Sequence, residues 1–196
     1  MTTRSTYHHG DLRTALVAGG LRQMEAGGEG AVSLRALAKA VGVSPNAPYR
    51  HFADKNALMA ALAAEGFQRF ADAIEAASGP EKNPVTALRD QGAAYLDFAA
   101  SHPALYRLMF SPLGYSLHSE PCQMASQRAF GCLISASARA QASGWKSNRD
   151  PMAVVLGYWS ALHGWAGLLG DSLVPPGIPV PGVEEWLDVF FDDEKR

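Results

Sequence analysis

A chain of 196 residues with 47% hydrophobic and 18% charged residues is long enough to bury a sizeable core and too apolar to remain disordered. Its 33 Ala and 20 Leu stand against 11 Val and 3 Ile, a balance that excludes a β-sandwich or parallel sheet and sets the expected fold class as all-α. The net charge of -2 hides an uneven spread: residues 1–55 carry seven Lys/Arg against four Asp/Glu, and the remainder ten against fifteen. A cationic head on an acidic body fits a protein of which only one part meets an anionic polymer.

Two cysteines, Cys122 and Cys132, are too few for a disulfide framework, and the first residues hold no apolar leader, so the expected compartment is the cytoplasm. The 19 residues Met152–Gly170 carry no formal charge and approach the length of a membrane span. His163 and Ser160 within that stretch, and the lack of a one-sided Lys/Arg cluster, favour a helix buried on all sides and no membrane partner.

In chain order, Leu12, Leu16, Val17, Leu21 and Met24 recur at helical spacing from Gly10 to about Ala26, where Gly27, Gly28 and Gly30 stop the helix. Ser33 is a good N-cap for a short helix over Leu34–Val41, which Gly42 ends. Ser44 and Pro45 suit the start of another short helix reaching Phe52. Asp54 caps a longer helix to about Ala77, and Ser78–Pro84 reads as a loop. Further helices are expected over Val85–Ala100, Pro103–Phe110, Cys122–Ala142, Pro151–Gly170 and Val183–Phe191. A proline-rich connector over Val174–Gly182 precedes the last, making nine helices without an internal repeat.

The stretch from Ser33 to Pro45 has the helix-turn-helix arrangement. Ala38 lets two helices cross closely, Gly42 takes a positive φ without a Cβ penalty, and the Ser44 side chain can satisfy amides at the start of the second helix. Together with Tyr7-His8-His9-Gly10-Asp11-Leu12-Arg13 before it and Tyr49-Arg50-His51-Phe52-Ala53-Asp54-Lys55 after it, this stretch resembles the tetracycline-repressor (TetR) family of bacterial transcriptional regulators. Residues 102–110 with Trp159, His163 and Gly164 resemble a regulatory-domain subgroup named for a Trp-His-Gly motif.

The resemblance implies a DNA-binding domain over residues 1–56 and an effector-binding and dimerisation domain over 57–196. It implies that the Pro45–Phe52 helix enters the major groove, with Ser33, Tyr49, His51 and Lys55 near phosphates. Ser44 stands at that helix start, where an amide-rich end can meet a phosphate. Asn46, Ala47 and Arg50 have the amide, methyl and guanidinium that suit base edges. Pro48 departs from the family's pattern, because it removes a backbone donor and so distorts the first turn or delays it by one or two residues. Phe52 reads as core, and His8 and His9 read as an adventitious metal pair or as an arm near phosphate or the minor groove.

In the body, Phe67, Phe70, Tyr95, Phe98, Tyr106, Phe110, Phe130, Trp159 and His163 are large side chains available to line a cavity; Met109 is another. Core packing accounts for any one of them singly, and the resemblance implies that a subset surrounds a small, mostly apolar or aromatic effector. Gly157, Ala161, Gly164 and Leu168 form a flank small enough for close helix approach, and with Trp186 and Phe190 they resemble the family's homodimer interface; close packing within one subunit is the alternative. The expected function is a repressor released from a double-stranded, inverted-repeat operator by its effector. No cofactor, metal or catalysis is expected, because the sequence lacks a dinucleotide or phosphate loop, a paired-histidine zinc motif and a glycine-flanked nucleophilic serine. The rivals are a thiol- or metal-responsive regulator using Cys122 and Cys132, or an all-α small-molecule enzyme. Ten residues of helix separate the two thiols by about 15 Å, beyond disulfide reach.

Overall fold

A computed structural model describes residues 9–79, 82–111 and 119–191, with side chains from residue 12 onward. These residues form eight α-helices and one 3₁₀ turn: α1 His9–Ala31, α2 Leu34–Ala40, the turn Ala47–Arg50, α3 Lys55–Ala77, α4 Pro84–Ser101, α5 Pro103–Met109, α6 Glu120–Ala142, α7 Pro151–Gly170 and α8 Val183–Phe191. They divide into two compact units, one of Met1–Gly66 with Ala104–Gln123 and one of Phe67–Pro103 with Met124–Arg196.

The first unit is built on α1. Leu16, Leu21 and Met24 of α1, Leu37 of α2, Phe52, and Leu58, Met59 and Leu62 of α3 are all buried. Each such side chain contributes roughly 1.5–3 kcal/mol by leaving water. Gly20 lets α3 approach, since a Cβ there would lie 2.9 Å from Leu62 Cδ2. The glycines after Ala26 do not end α1; they kink it at Gly27 and Gly28, the latter at φ 69°, and helix resumes to Ala31. Ser33 caps α2 through a 3.4 Å hydrogen bond from Ala36 N–H to its Oγ, and Gly42 turns the chain at φ 73°.

The expected helix over Pro45–Phe52 is corrected to a single 3₁₀ turn, Ala47–Arg50. Pro48 occupies its first positions and is buried, so the missing N–H falls where a short turn has no use for it. The cap position is held by Asn46, which makes no side-chain capping hydrogen bond, and Ser44 serves through its backbone carbonyl, which accepts from Ala47 N–H at 3.0 Å. Of the nine helices expected, the third is therefore this turn and the other eight are α-helices. Asp54 does cap α3, accepting from Ala57 N–H at 2.8 Å.

The second unit holds the rest of α3 with α4, α6, α7 and α8. Asn83 caps α4 and Asp150 caps α7, each through its side-chain oxygen. Tyr158 of α7 lies against α4, its hydroxyl donating to Leu88 O at 3.4 Å. Gly92 makes this possible: a Cβ there would lie 1.9 Å from the Tyr158 hydroxyl. Arg89 fastens α8 to α4 through Asp188 at 2.7 Å and through Glu184. The expectation that α7 is buried on all sides is corrected. Val154, Val155, Tyr158, Leu162 and Ala166 are buried, whereas Met152, Leu156, Gly157, Ser160, Gly164 and Leu168 are exposed. Only 22% of its most apolar stretch is buried.

Candidate nucleic-acid interface and effector core

The 3₁₀ turn has a buried side and an exposed side. Pro48 and Phe52 point into the first unit, while Ser44, Asn46, Tyr49 and Arg50 are exposed and Ala47 is half-buried. Tyr49 keeps 45% of its surface accessible, a large exposure for an aromatic ring in an otherwise well-packed unit. The Arg13 guanidinium stands 5.4 Å from the centroid of the Phe52 ring and braces the turn against α1. Rigidity at this edge thus comes from a capped α2, the Gly42 turn, the buried Pro48 and the Asp54 cap.

The other residues expected at DNA are placed differently. Ser33 is half-buried; its N–H donates to Gln23 Oε1 at 3.0 Å, and its Oγ is engaged in the α2 cap. Lys55 is exposed, and its ammonium donates to the Glu29 carbonyl at 2.9 Å, tying the start of α3 to the kinked end of α1. His51 is half-buried, with its Nε2 enclosed and unpaired among the described residues. His8 lies outside the described residues, as does the side chain of His9.

In the second unit, side-chain contacts link four helices in a ring. Phe70 of α3 meets Tyr95 and Phe98 of α4 edge-on at 4.9 and 5.2 Å. Tyr95 Oη and His163 Nδ1 of α7 share a hydrogen bond of 3.1 Å. Trp159 of α7 meets Phe130 of α6 at 5.6 Å and lies 5.8 Å from His163. Arg128 of α6 closes the ring on α3 through Asp72 at 2.7 Å, Gln68 at 3.1 Å and Glu75.

Six of the nine expected effector residues therefore fall in one network. Phe67 is buried at the start of this unit's share of α3. Tyr106 and Phe110 belong to the first unit, where their rings pack on each other at 4.8 Å. Phe130, Trp159 and His163 are only half-buried, so the ring retains accessible aromatic surface. Burial lowers the His163 pKa below the ordinary imidazole value, which keeps the ring neutral at pH 7.

Two polar residues of this unit escaped the sequence reading. Gln91 of α4 is 3% exposed and Ser137 of α6 fully buried, and their side-chain polar atoms have no hydrogen-bond partner among the described residues. Their only signal in the sequence is a polar residue on the apolar stripe of its helix: Gln91 precedes Tyr95 by four and Phe98 by seven, and Ser137 follows Phe130 by seven.

The two thiols lie on α6. Burial pushes Cys122 up to about 11. Burial, then the Glu75 carboxylate 3.2 Å away, push Cys132 up to about 11 as well. A reactive sensor thiol requires the opposite shift.

On the exposed face of α7, a Cβ at Gly157 or Gly164 would meet no described atom within 4 Å. Ala161 is half-buried and Leu168 44% exposed. Trp186 stacks on Trp165 at 4.9 Å, and Phe190 meets Trp186 at 5.0 Å and Tyr158 at 5.7 Å. The small flank of α7 is thus not consumed by packing among the described residues.

Residues 16–62 match the family of bacterial regulatory proteins, tetR family, and residues 88–186 match the tetracyclin repressor-like C-terminal domain. An uncharacterised helix-turn-helix transcriptional regulator of Bacillus subtilis strain 168, YobS, is 28% identical over 145 residues, 74% of this chain and 72% of its own length. A solved structure of a Rhodococcus sp. RHA1 protein of unknown function is 31% identical and superimposes with TM-score 0.81, covering 97% of this chain and 96% of that one. AibR, solved with isovaleryl coenzyme A and operator DNA, shares the fold at TM-score 0.65 and 16% identity, covering 92% of this chain and 98% of its own. Two domain matches spanning the DNA-reading and regulatory portions, on an all-helical fold with a helix-turn-helix, establish that this chain belongs to the TetR family of bacterial transcriptional regulators.

Proposed function

We propose that the protein is a homodimeric repressor that reads an inverted-repeat operator with one Ala47–Arg50 turn per subunit. It leaves the operator when a small, mostly apolar or aromatic molecule occupies the ring of α3, α4, α6 and α7. The observation that carries this reading is the exposed polar edge of Ser44, Asn46, Tyr49 and Arg50 held over buried Pro48 and Phe52. Tyr49 offers a hydroxyl on a rigid ring for a phosphate, and Arg50 and Asn46 suit base edges, with Ala47 against a thymine methyl. Ser33 and Lys55 contribute from the ends of their helices, and His51 after its ring turns outward.

The division of labour follows residues 1–56 as reader and 57–196 as effector-binding and dimerising body. Two-fold pairing proceeds through the exposed face of α7, with Gly157, Ala161, Gly164 and Leu168 allowing close approach and α8 adding Trp186 and Phe190. AibR, solved with both isovaleryl coenzyme A and operator DNA, supports effector control on this fold, while the apolar character of the effector rests on the aromatic ring of this chain. α3 is the shared element: it starts at Lys55 and carries Phe70 to the aromatic ring. Effector and operator must weaken each other by the same factor.

The test is selection of duplexes from a random pool by the full-length protein, followed by anisotropy titration at fixed salt. An inverted repeat with half-sites about one helical turn apart is expected. Binding without sequence preference would refute the reading.

A further inference from the structure

We infer that the effector is an uncharged, largely apolar or aromatic compound bearing a neutral hydrogen-bonding group, which the buried Gln91 amide receives inside the ring of α3, α4, α6 and α7. This deepens the effector reading above and rests on it. Gln91 shares one stripe of α4 with Tyr95 and Phe98, both of which contact Phe70 across the ring. Ser137 shares one stripe of α6 with Phe130, which contacts Trp159. Two polar side chains, on two different helices, thus sit on stripes that carry the ring's aromatic contacts. Both are more than nine-tenths buried and neither has a partner among the described residues. A buried amide left unpaired is costly, and natural interiors almost always satisfy such groups. A ligand that brings the missing donor and acceptor removes that penalty on binding.

The charge of that ligand follows from what surrounds it. Gln91 and Ser137 are the buried polar residues; no Asp, Glu, Lys or Arg is buried among the described residues. Arg128 of α6, half-buried where it closes the ring, is paired with Asp72 and Glu75 of α3, whose side chains are 65% and 46% exposed. His163 is held neutral by burial and already shares a hydrogen bond with Tyr95. A carboxylate entering the ring would lose its hydration, and the cation that closes the ring, Arg128, is already engaged by Asp72, Glu75 and Gln68. It would also offer acceptors only, leaving the Gln91 carbonyl oxygen unpaired. An amide or alcohol matches both halves of the Gln91 side chain and adds no charge.

The experiment uses three molecules built on one phenylethyl frame, 3-phenylpropanamide, 3-phenylpropanoate and propylbenzene, titrated calorimetrically into the full-length protein at pH 7. The amide is expected to bind most tightly and the carboxylate most weakly. Gln91→Met, of similar length without the amide, should weaken the amide about fivefold to tenfold and leave propylbenzene unchanged within about twofold. Gln91→Leu repeats the comparison if the Met variant fails to fold. Without ligand, the Gln91→Met protein should melt at a higher temperature than wild type, because an unpaired buried amide has gone. Carboxylate binding as tight as the amide, an unmoved amide-to-hydrocarbon ratio in the variants, or a lower melting temperature for both would each overturn the inference alone. Failure of all three molecules to bind, with operator binding intact, would overturn the effector reading and the inference together.

Discussion

The 3₁₀ turn at Ala47–Arg50 and the helix α7 both hold out a face that the described residues leave uncovered, and they do so by opposite means. The turn is fixed by local chemistry: the Ser33 cap, positive φ at Gly42, buried Pro48 and the Asp54 cap all lie within about twenty residues. Its exposed face is polar, and water covers it at no cost. α7 is fixed by distant partners, Tyr158 in the notch at Gly92 and His163 on Tyr95. Its exposed face carries Met152, Leu156, Gly157 and Leu168. An apolar strip along most of a twenty-residue helix calls for protein cover, whereas a polar edge calls for a polar ligand. In the function proposed above, the polar edge is the surface for nucleic acid and the apolar strip the surface for a second subunit.

The sharpest way to break the contrast is to place a charge on α7. Gly157→Arg or Gly164→Arg adds a side chain at positions where a Cβ meets no described atom within 4 Å, so the subunit should fold and keep its helix content. In a dimer the same arginine is buried without a counter-charge, a penalty of about 3 kcal/mol or more. Sedimentation at micromolar concentration should show monomers, and operator affinity should fall with dimerisation. Arginine variants that remain dimeric would remove α7 from the interface.

The next effect tests how α7 is held. Gly92→Ala forces a Cβ to within 1.9 Å of the Tyr158 hydroxyl and 3.2 Å of Leu187 Cδ2, so the helices must part or Tyr158 must leave. Destabilisation of about 2–3 kcal/mol is expected from overpacking, read as a lower melting temperature. Adding Tyr158→Phe removes the oxygen nearest to the new Cβ and should recover part of the loss. Equal losses in the single and double variants would mean that the clash lies elsewhere.

The two faces also differ in how far the sequence revealed them. Helix caps at Ser33 and Asp54 were legible because each depends on residues two to four positions away. Pro48 announced a distorted turn but not its extent, since a short helix and a 3₁₀ turn share the same proline signal. The small flank of α7 was legible as a pattern, but its exposure was not: an uncharged helix reads the same whether its cover comes from its own chain or another. The Gly92 notch was hidden for a different reason. Its meaning depends on Tyr158, 66 positions away, and no local pattern links the two. Gln91 was overlooked because a glutamine on an amphipathic helix ordinarily faces water.

At the polar edge the expected losses are smaller and belong to DNA affinity rather than folding. Arg50→Ala and Tyr49→Phe should each weaken operator binding by about 1–3 kcal/mol and leave the melting temperature unchanged, because both side chains are exposed. Arg50→Ala should also relax sequence preference at the base it contacts, whereas Tyr49→Phe should weaken all duplexes alike. A variant pair that alters neither affinity nor preference would take both residues out of the interface.

Lys55 tests where the edge ends. Its ammonium gives one hydrogen bond to the Glu29 carbonyl at 2.9 Å, and an ammonium has three donors, so two remain for a phosphate. Being pinned there, the cation is presented in a fixed position at the start of α3 rather than on a free four-carbon stem. Lys55→Ala should therefore flatten the dependence of log affinity on log salt concentration by about one counterion. The Glu29 tie is a separate quantity, since losing one exposed hydrogen bond shifts stability by about 1 kcal/mol at most. Lys55→Gln keeps a donor for Glu29 without the charge, so it should restore the melting temperature but not the salt slope. A wild-type slope in both variants would mean that Lys55 serves only to fasten α3 to α1.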